Sequence, residues 1–182
     1  MKAVLISIQP RWCDLITLLK KTIEVRKTRP NLELPFKCYI YCSGNDYNKI
    51  FCTDKFMHKV FLNGAGKQKV IGEFVCDKIY DITPHFDTPT FPNQYICGWE
   101  YGKEFDCLSF EELTSYLNGK KGYGWHISDL VIYDEPKDLS EFLYACDKPQ
   151  GTDCSTCLDR RENKCKALTR PPQSWCYVEE LR

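Results

Sequence analysis

The sequence predicts an α+β fold: a small, strongly curved sheet or β-barrel with helices at its rim, and a metal-stapled cysteine-rich segment near the C-terminus. Three observations predict it. After one early helix the patterns are mostly strands, so the alternating βαβ units of a doubly wound parallel sheet are absent. The length, 182 residues, suits one domain spanning residues 1–182. Four of the twelve cysteines fall in a polar tail, over residues 145–168, at metal-ligand spacing.

The elements follow in order. Lys2 to Ile8 is rich in Val and Ile and reads as a strand. Pro10 suits the first turn of a helix, and Trp12, Leu15, Ile16 and Leu19 recur at the helical period up to Lys20 and Lys21. Residues 22–27 alternate with period two, which places Ile23 and Val25 on one face and Thr22, Glu24 and Arg26 on the other. Phe36 to Cys42 is a further strand; residues 54–61 carry a weak helical pattern. Residues 69–80 read as one long strand, with Gly72 marking a bulge or bend. Residues 84–107 contain Pro84, Pro89 and Pro92 and read as a loop insertion. Ser109 and Glu112 form a capping box for a helix that stops at Asn118 and Gly119. A strand from Gly124 to Tyr133 ends at Asp134-Glu135-Pro136, a short helix covers Leu139 to Tyr144, and Ser174 to Glu179 closes the fold as a strand.

Composition narrows the function classes. With 25 basic and 25 acidic residues the net charge is zero, which excludes a globally basic nucleic-acid coat. No apolar run approaches the 18 or so residues of a membrane helix. The apolar run after Met1 is too short for a secretory signal, so the expected setting is a reducing cytoplasm, where clustered cysteines bind metal more often than they pair. Cys13, Cys38, Cys42, Cys52, Cys76, Cys97 and Cys107 are scattered, mostly in apolar surroundings, and read as small buried hydrophobes.

Cys146, Cys154, Cys157 and Cys165 form a C-x7-C-x2-C-x7-C pattern. The inner pair puts two thiolates on one tight turn and the outer two return from equal distances. Four thiolates with no open position describe a structural zinc site; an iron–sulfur cluster also takes four cysteines. The polar filler around them cannot build a core, so the metal supplies the folding energy.

Outside the tail, the informative stretch is Lys21-Thr22-Ile23-Glu24-Val25-Arg26-Lys27. A lysine ends the helix, and a carboxylate and a guanidinium share one face of the next strand. On spacing alone, a solvated strand face with one weak ion pair is as good a reading as a functional cleft.

The run from Ser7-Ile8-Gln9-Pro10-Arg11-Trp12 through Lys21-Thr22-Ile23-Glu24-Val25-Arg26 resembles the G-x-K-x-x-E-x-R signature of ASCH domains, in the PUA-like superfamily. Ile71-Gly72-Glu73-Phe74, Gly124-Trp125-His126-Ile127-Ser128 and the closing Gln173 to Val178 strand fit the same pattern. Leu19 stands where the signature has glycine. The resemblance implies a small PUA-like β-barrel whose cleft, lined by this motif, binds RNA or a modified nucleotide. Some small relatives are similar to amidohydrolases acting on acetylated cytidine; they carry threonine where this chain has Glu24, so that activity does not carry over.

The residues make binding physically sensible. Residues 1–27 hold six basic groups (Lys2, Arg11, Lys20, Lys21, Arg26, Lys27) against Asp14 and Glu24, a local charge of +4 that steers a phosphate backbone. Trp125 and Trp175 are candidate stacking platforms, although tryptophans are more often core. Arg11, Lys21, Glu24, Arg26, Lys27, Trp125 and Trp175 are the expected nucleic-acid contacts. Two alternatives stand beside this: a hydrolase (nucleoside amidohydrolase or ribonuclease) using Lys21 and Glu24 as catalytic groups in the same cleft, and an adaptor whose zinc tail docks a protein partner.

Overall fold

The computed structural model describes residues 1–44, 68–87, 93–99, 105–146 and 166–181. Among the described residues nine strands fall into two sheets: β1 (Lys2–Ile8), β3 (Phe36–Cys42), β4 (Val70–Cys76), β8 (Ser128–Lys137) and β9 (Trp175–Glu179) form one, in the order β8-β4-β3-β1-β9. The other has the order β2-β7-β5-β6, from β2 (Ile23–Arg26), β7 (Gly122–His126), β5 (Ile79–His85) and β6 (Gln94–Cys97). Among the described residues two α-helices accompany them, α1 (Pro10–Thr17) and α2 (Phe110–Leu117). The α+β class and the scarcity of helices agree with the sequence. The described strands make two sheets, and no closed barrel is shown among them.

The chain divides into two compact units. The first comprises Met1–Asp14, Lys37–Phe74 and Val131–Arg182. In its sheet β1 pairs in parallel with β3 and antiparallel with the edge strand β9, and Ala3, Val4, Leu5 and Ile6 are fully buried. On one face Ala3 and Leu5 pack with Tyr39, Tyr41, Val70, Phe142, Leu168 and Val178. Gly72 serves close approach: a Cβ there would lie 2.3 Å from the Val131 carbonyl oxygen.

The second unit comprises Leu15–Phe36 and Val75–Leu130. α2 covers its sheet with Leu113 and Leu117, which pack against Val25 and Ile82. The capping box forms as the sequence predicts: Glu112 N–H donates to Ser109 Oγ (3.2 Å), Ser109 N–H donates to Glu112 Oε2 (2.9 Å), and Asn118 ends the helix at φ 52°. Gly124 lets the Trp99 ring approach β7 closely, because a Cβ would sit 2.7 Å from the Trp99 ring and 2.8 Å from Ile23 Cγ2.

Several elements differ from the sequence reading. The strand expected over 69–80 is two strands, broken at Asp77 and Lys78, where the Asp77 carboxylate contacts His126 Nδ1 at 2.6 Å. Within the 84–107 insertion the chain forms the end of β5 and the whole of β6, paired antiparallel with Thr83 opposite Ile96. The strand expected from Gly124 is likewise two, separated at Ile127, and the second runs through Pro136 instead of stopping at Asp134. The helix expected over Leu139 to Tyr144 is a single 3-10 turn, Leu139–Glu141. The weak helical pattern of 54–61 lies outside the described residues.

α1 stops at Thr17, four residues before Lys21. Leu19 N–H donates to Ile16 O (2.9 Å), Lys20 N–H donates to Leu15 O (2.8 Å), and Leu19 has φ 56°. This pairing is a Schellman motif, with Leu19 in the left-handed position that glycine favours. The G-x-K-x-x-E-x-R pattern has glycine at this position, and Leu19 adopts here the backbone geometry that glycine favours.

Candidate functional site

The candidate site lies in the second unit, on the edge strand β2. Glu24 pairs across with Trp125 and Arg26 with Tyr123, so the four side chains share one face of the sheet. The Schellman turn delivers Lys21 just before this strand. The loop at Phe105 flanks it: Thr22 and Ile23 donate N–H bonds to Phe105 O (2.8 and 3.0 Å), and Phe105 N–H donates to Thr22 Oγ1 (2.9 Å).

Lys21, Glu24 and Arg26 meet, and they are buried: relative exposures are 3%, 5% and 7%. The solvated strand face weighed from spacing alone is therefore not what forms. Glu24 joins the two cations. Its Oε1 lies 2.9 Å from Arg26 Nη2, and its Oε2 lies 3.5 Å from Lys21 Nζ. Lys21 Nζ also donates to Ile23 O (2.7 Å) and to the Asp106 carbonyl oxygen (2.5 Å). An ammonium has three donors. Two are spent on these carbonyls, and Glu24 lies in reach of the third. Arg26 also bonds the Tyr116 hydroxyl of α2.

Taking two cations and one anion out of water is costly unless geometry and further hydrogen bonds compensate. The carbonyl bonds to Lys21 and the Tyr116 bond to Arg26 supply part of that compensation, while Glu24 Oε2 is buried with only the 3.5 Å ion pair to Lys21. Net charge in the cluster is +1, under little screening. Burial pushes the Asp106 carboxyl above its ordinary range, against the lowering effects of the Leu108 N–H bond and of Lys21. Tyr116 is likewise raised by burial, against Arg26. Asp106 and Tyr116 are site residues that sequence reasoning missed. Asp106 carried no signal, since its contact with Lys21 spans 85 positions. Tyr116, the penultimate residue of α2, carried no signal of its own in the sequence.

The remaining expected contacts are placed as follows. Trp125 is fully buried, edge-on to Phe36 at 6.0 Å, so its ring offers no exposed face to a base. Lys27 is exposed, with Nζ 5.1 Å from the Tyr116 ring centre. Arg11 and Trp175 belong to the first unit, where Arg11 sits 4.4 Å over Trp12 and Trp175 packs against Tyr177 at 5.3 Å.

Of the four cysteines with metal-ligand spacing, Cys146 is described: its thiol is free and half-buried, and its N–H donates to Glu179 Oε1 (2.6 Å). Cys154, Cys157 and Cys165 lie outside the described residues. Among the described residues no three His, Cys, Asp or Glu side chains gather as a metal site. The scattered cysteines Cys13, Cys38, Cys42 and Cys76 are buried, and Cys97 and Cys107 are partly so. Desolvation pushes the Cys76 thiol up to about 12 and the Cys97 thiol to about 11. Among the described residues, no helix is long and apolar enough to cross a membrane.

No family model and no curated protein matches the chain. Solved structures do. The crystal structure of ASCH from Zymomonas mobilis is similar with TM-score 0.55 at 19% identity, over 98% of this chain and 88% of that one. A tyrosine-to-phenylalanine variant of that protein gives TM-score 0.55 at 20% identity, over 99% of this chain and 92% of that one. A serine-to-alanine variant gives 0.54 at 20%, over 98% and 89%. At these identities the likeness shows the fold: two sheets with few helices, in the arrangement of an ASCH protein.

Proposed function

We propose that the chain binds RNA, or a modified nucleotide, at the cleft bordered by Lys21, Glu24 and Arg26. The observation that carries this reading is the buried trio. A net positive charge held out of water beside the exposed Lys27 favours an anionic ligand. The ASCH-like fold supports it. Glu24 acts as the bracket that fixes both cations. Lys21 suits this binding role better than the role of general base: a base needs an available lone pair, and this ammonium donates to two carbonyls.

Photo-crosslinking of the full chain to a single-stranded RNA oligonucleotide, followed by peptide mapping, tests the placement. The expected crosslinks fall in peptides covering residues 21–29 and 116–126. Crosslinks confined to other peptides would refute it.

The cysteine tail we propose as a structural zinc site, held by Cys146, Cys154, Cys157 and Cys165, which presents a surface for RNA or a protein partner. Elemental analysis should find about one zinc per chain, lost in Cys154→Ser. A metal-free chain that stays folded refutes this assignment.

A further inference from the structure

Among the exposed cations of the second unit outside the trio, Lys27 and Arg29 follow β2, and Lys120 and Lys121 immediately precede β7. Three of them lie against aromatic rings. Lys27 Nζ is 5.1 Å from the Tyr116 centroid; Arg29 Cζ and Lys121 Nζ are 5.7 and 5.5 Å from that of Tyr123. These are cation–π distances. The one carboxylate paired with the group is Asp81, 3.0 Å from Lys121. Among the described residues, Lys27, Arg29 and Lys120 form no ion pair.

The difference between a ring and a carboxylate matters here. A carboxylate partner cancels a cation's field. An aromatic ring restrains the same side chain through its quadrupole and leaves the full charge in place. Four cations against Asp81 leave +3 on a surface of a chain whose overall charge is zero. Restrained side chains also lose less rotamer freedom on binding, which a free lysine pays in full.

The patch is continuous with the trio. Lys27 follows Arg26 directly, Arg29 is two residues further on, and Tyr123 pairs across the sheet with Arg26. Tyr116 joins both, since its hydroxyl bonds Arg26 while Lys27 lies against its ring.

We infer that Tyr116 and Tyr123, with Lys27, Arg29 and Lys121, form a second subsite that holds the phosphodiester backbone of a single RNA strand whose nucleotide enters the cleft. The inference rests on the proposed RNA-binding reading. The patch fits a polyanion with evenly spaced charges and reads no base, so its contribution is independent of sequence.

The test is the salt dependence of binding to a fluorescein-labelled oligouridylate, for the full chain and for the Arg29→Ala/Lys121→Ala double variant. Each lost contact to a single strand lowers the slope of log K against log salt by about 0.7, so the double variant's slope falls by about 1.4. Raising salt from about 50 to about 200 mM then weakens the variant about sevenfold less than the parent. Lys137→Ala is the control: that lysine also lies over a ring, Tyr133 at 5.5 Å, but it has Glu141 at 3.8 Å and belongs to the first unit. An unchanged slope in the double variant, with the parent binding RNA normally, overturns the subsite and leaves the cleft reading standing. A parent that binds no RNA overturns the cleft reading itself. Binding of polyglutamate or phosphatidylserine vesicles as tightly as RNA, lost equally in the double variant, assigns the patch to another polyanion and also overturns the inference.

Discussion

Replacing Leu19 tests the turn that delivers Lys21 to the site. Leu19 holds φ 56° and is 69% exposed, so it gains little from burial while occupying a backbone region that L side chains avoid. The left-handed conformation costs a residue with a Cβ about 1–2 kcal/mol. Glycine removes that cost but adds about 0.4–1 kcal/mol through the extra freedom of the unfolded chain. Leu19→Ala loses the same atoms beyond Cβ and keeps the strain. Leu19→Gly should therefore be more stable than Leu19→Ala by about 0.5–1 kcal/mol. In a helix interior the order is opposite, with alanine ahead by about 1 kcal/mol. For a chain of this size the gap corresponds to about 1–4 °C in Tm, measurable by calorimetry or circular dichroism on both variants. An alanine variant as stable as the glycine variant would refute the left-handed turn and the Schellman geometry built on it.

Other expectations follow from the same contacts. Glu24→Ala leaves Lys21 and Arg26 buried without their shared counter-charge and should cost about 3–5 kcal/mol in urea unfolding; a loss under about 1 kcal/mol would mean the trio is hydrated. Gly124→Ala drives a Cβ into the Trp99 ring and Ile23, and should destabilise by about 1–3 kcal/mol with a change in tryptophan fluorescence. Burial raises the Asp14 carboxyl from 3.8 to about 6, so the folded chain binds this proton more tightly than the unfolded one. Its contribution to stability is full below pH about 4 and is lost as pH rises through about 6. Asp14→Asn should therefore be more stable than the parent at neutral pH, by about 1 kcal/mol after solvent screening of this half-buried group, and the gain should shrink near pH 4. A pH-independent difference would contradict it.

Local signals in the sequence carried local structure well. Ser109 and Glu112 define the start of α2 because a capping box needs only four consecutive residues. Phe36 to Cys42 is a strand with the bounds its composition marks. The misread breaks come from distant partners. Residues 69–80 keep a strand-like composition throughout, and the interruption at Asp77 coincides with a hydrogen bond to His126, 49 positions away. β6 is four residues long and follows a proline-rich stretch, too short for periodicity to register. The site was half legible. Spacing placed Lys21, Glu24 and Arg26 together, but their burial depends on the Asp106 carbonyl and on Tyr116, which no local pattern could assign. Trp125 was offered as a stacking platform and is core, the more common fate of tryptophan.

The most direct test of the central claim is the affinity of the full chain for single-stranded RNA, compared with Arg26→Lys and Arg26→Gln across a salt series. Lysine keeps the charge beside Glu24 but loses the planar guanidinium; glutamine loses both. If the buried trio supplies the potential that binds RNA, the parent's affinity falls linearly with log salt, the lysine variant keeps that slope with weaker binding, and the glutamine variant loses about 0.7 of slope. Equal affinity and equal slope in all three folded proteins would contradict the account.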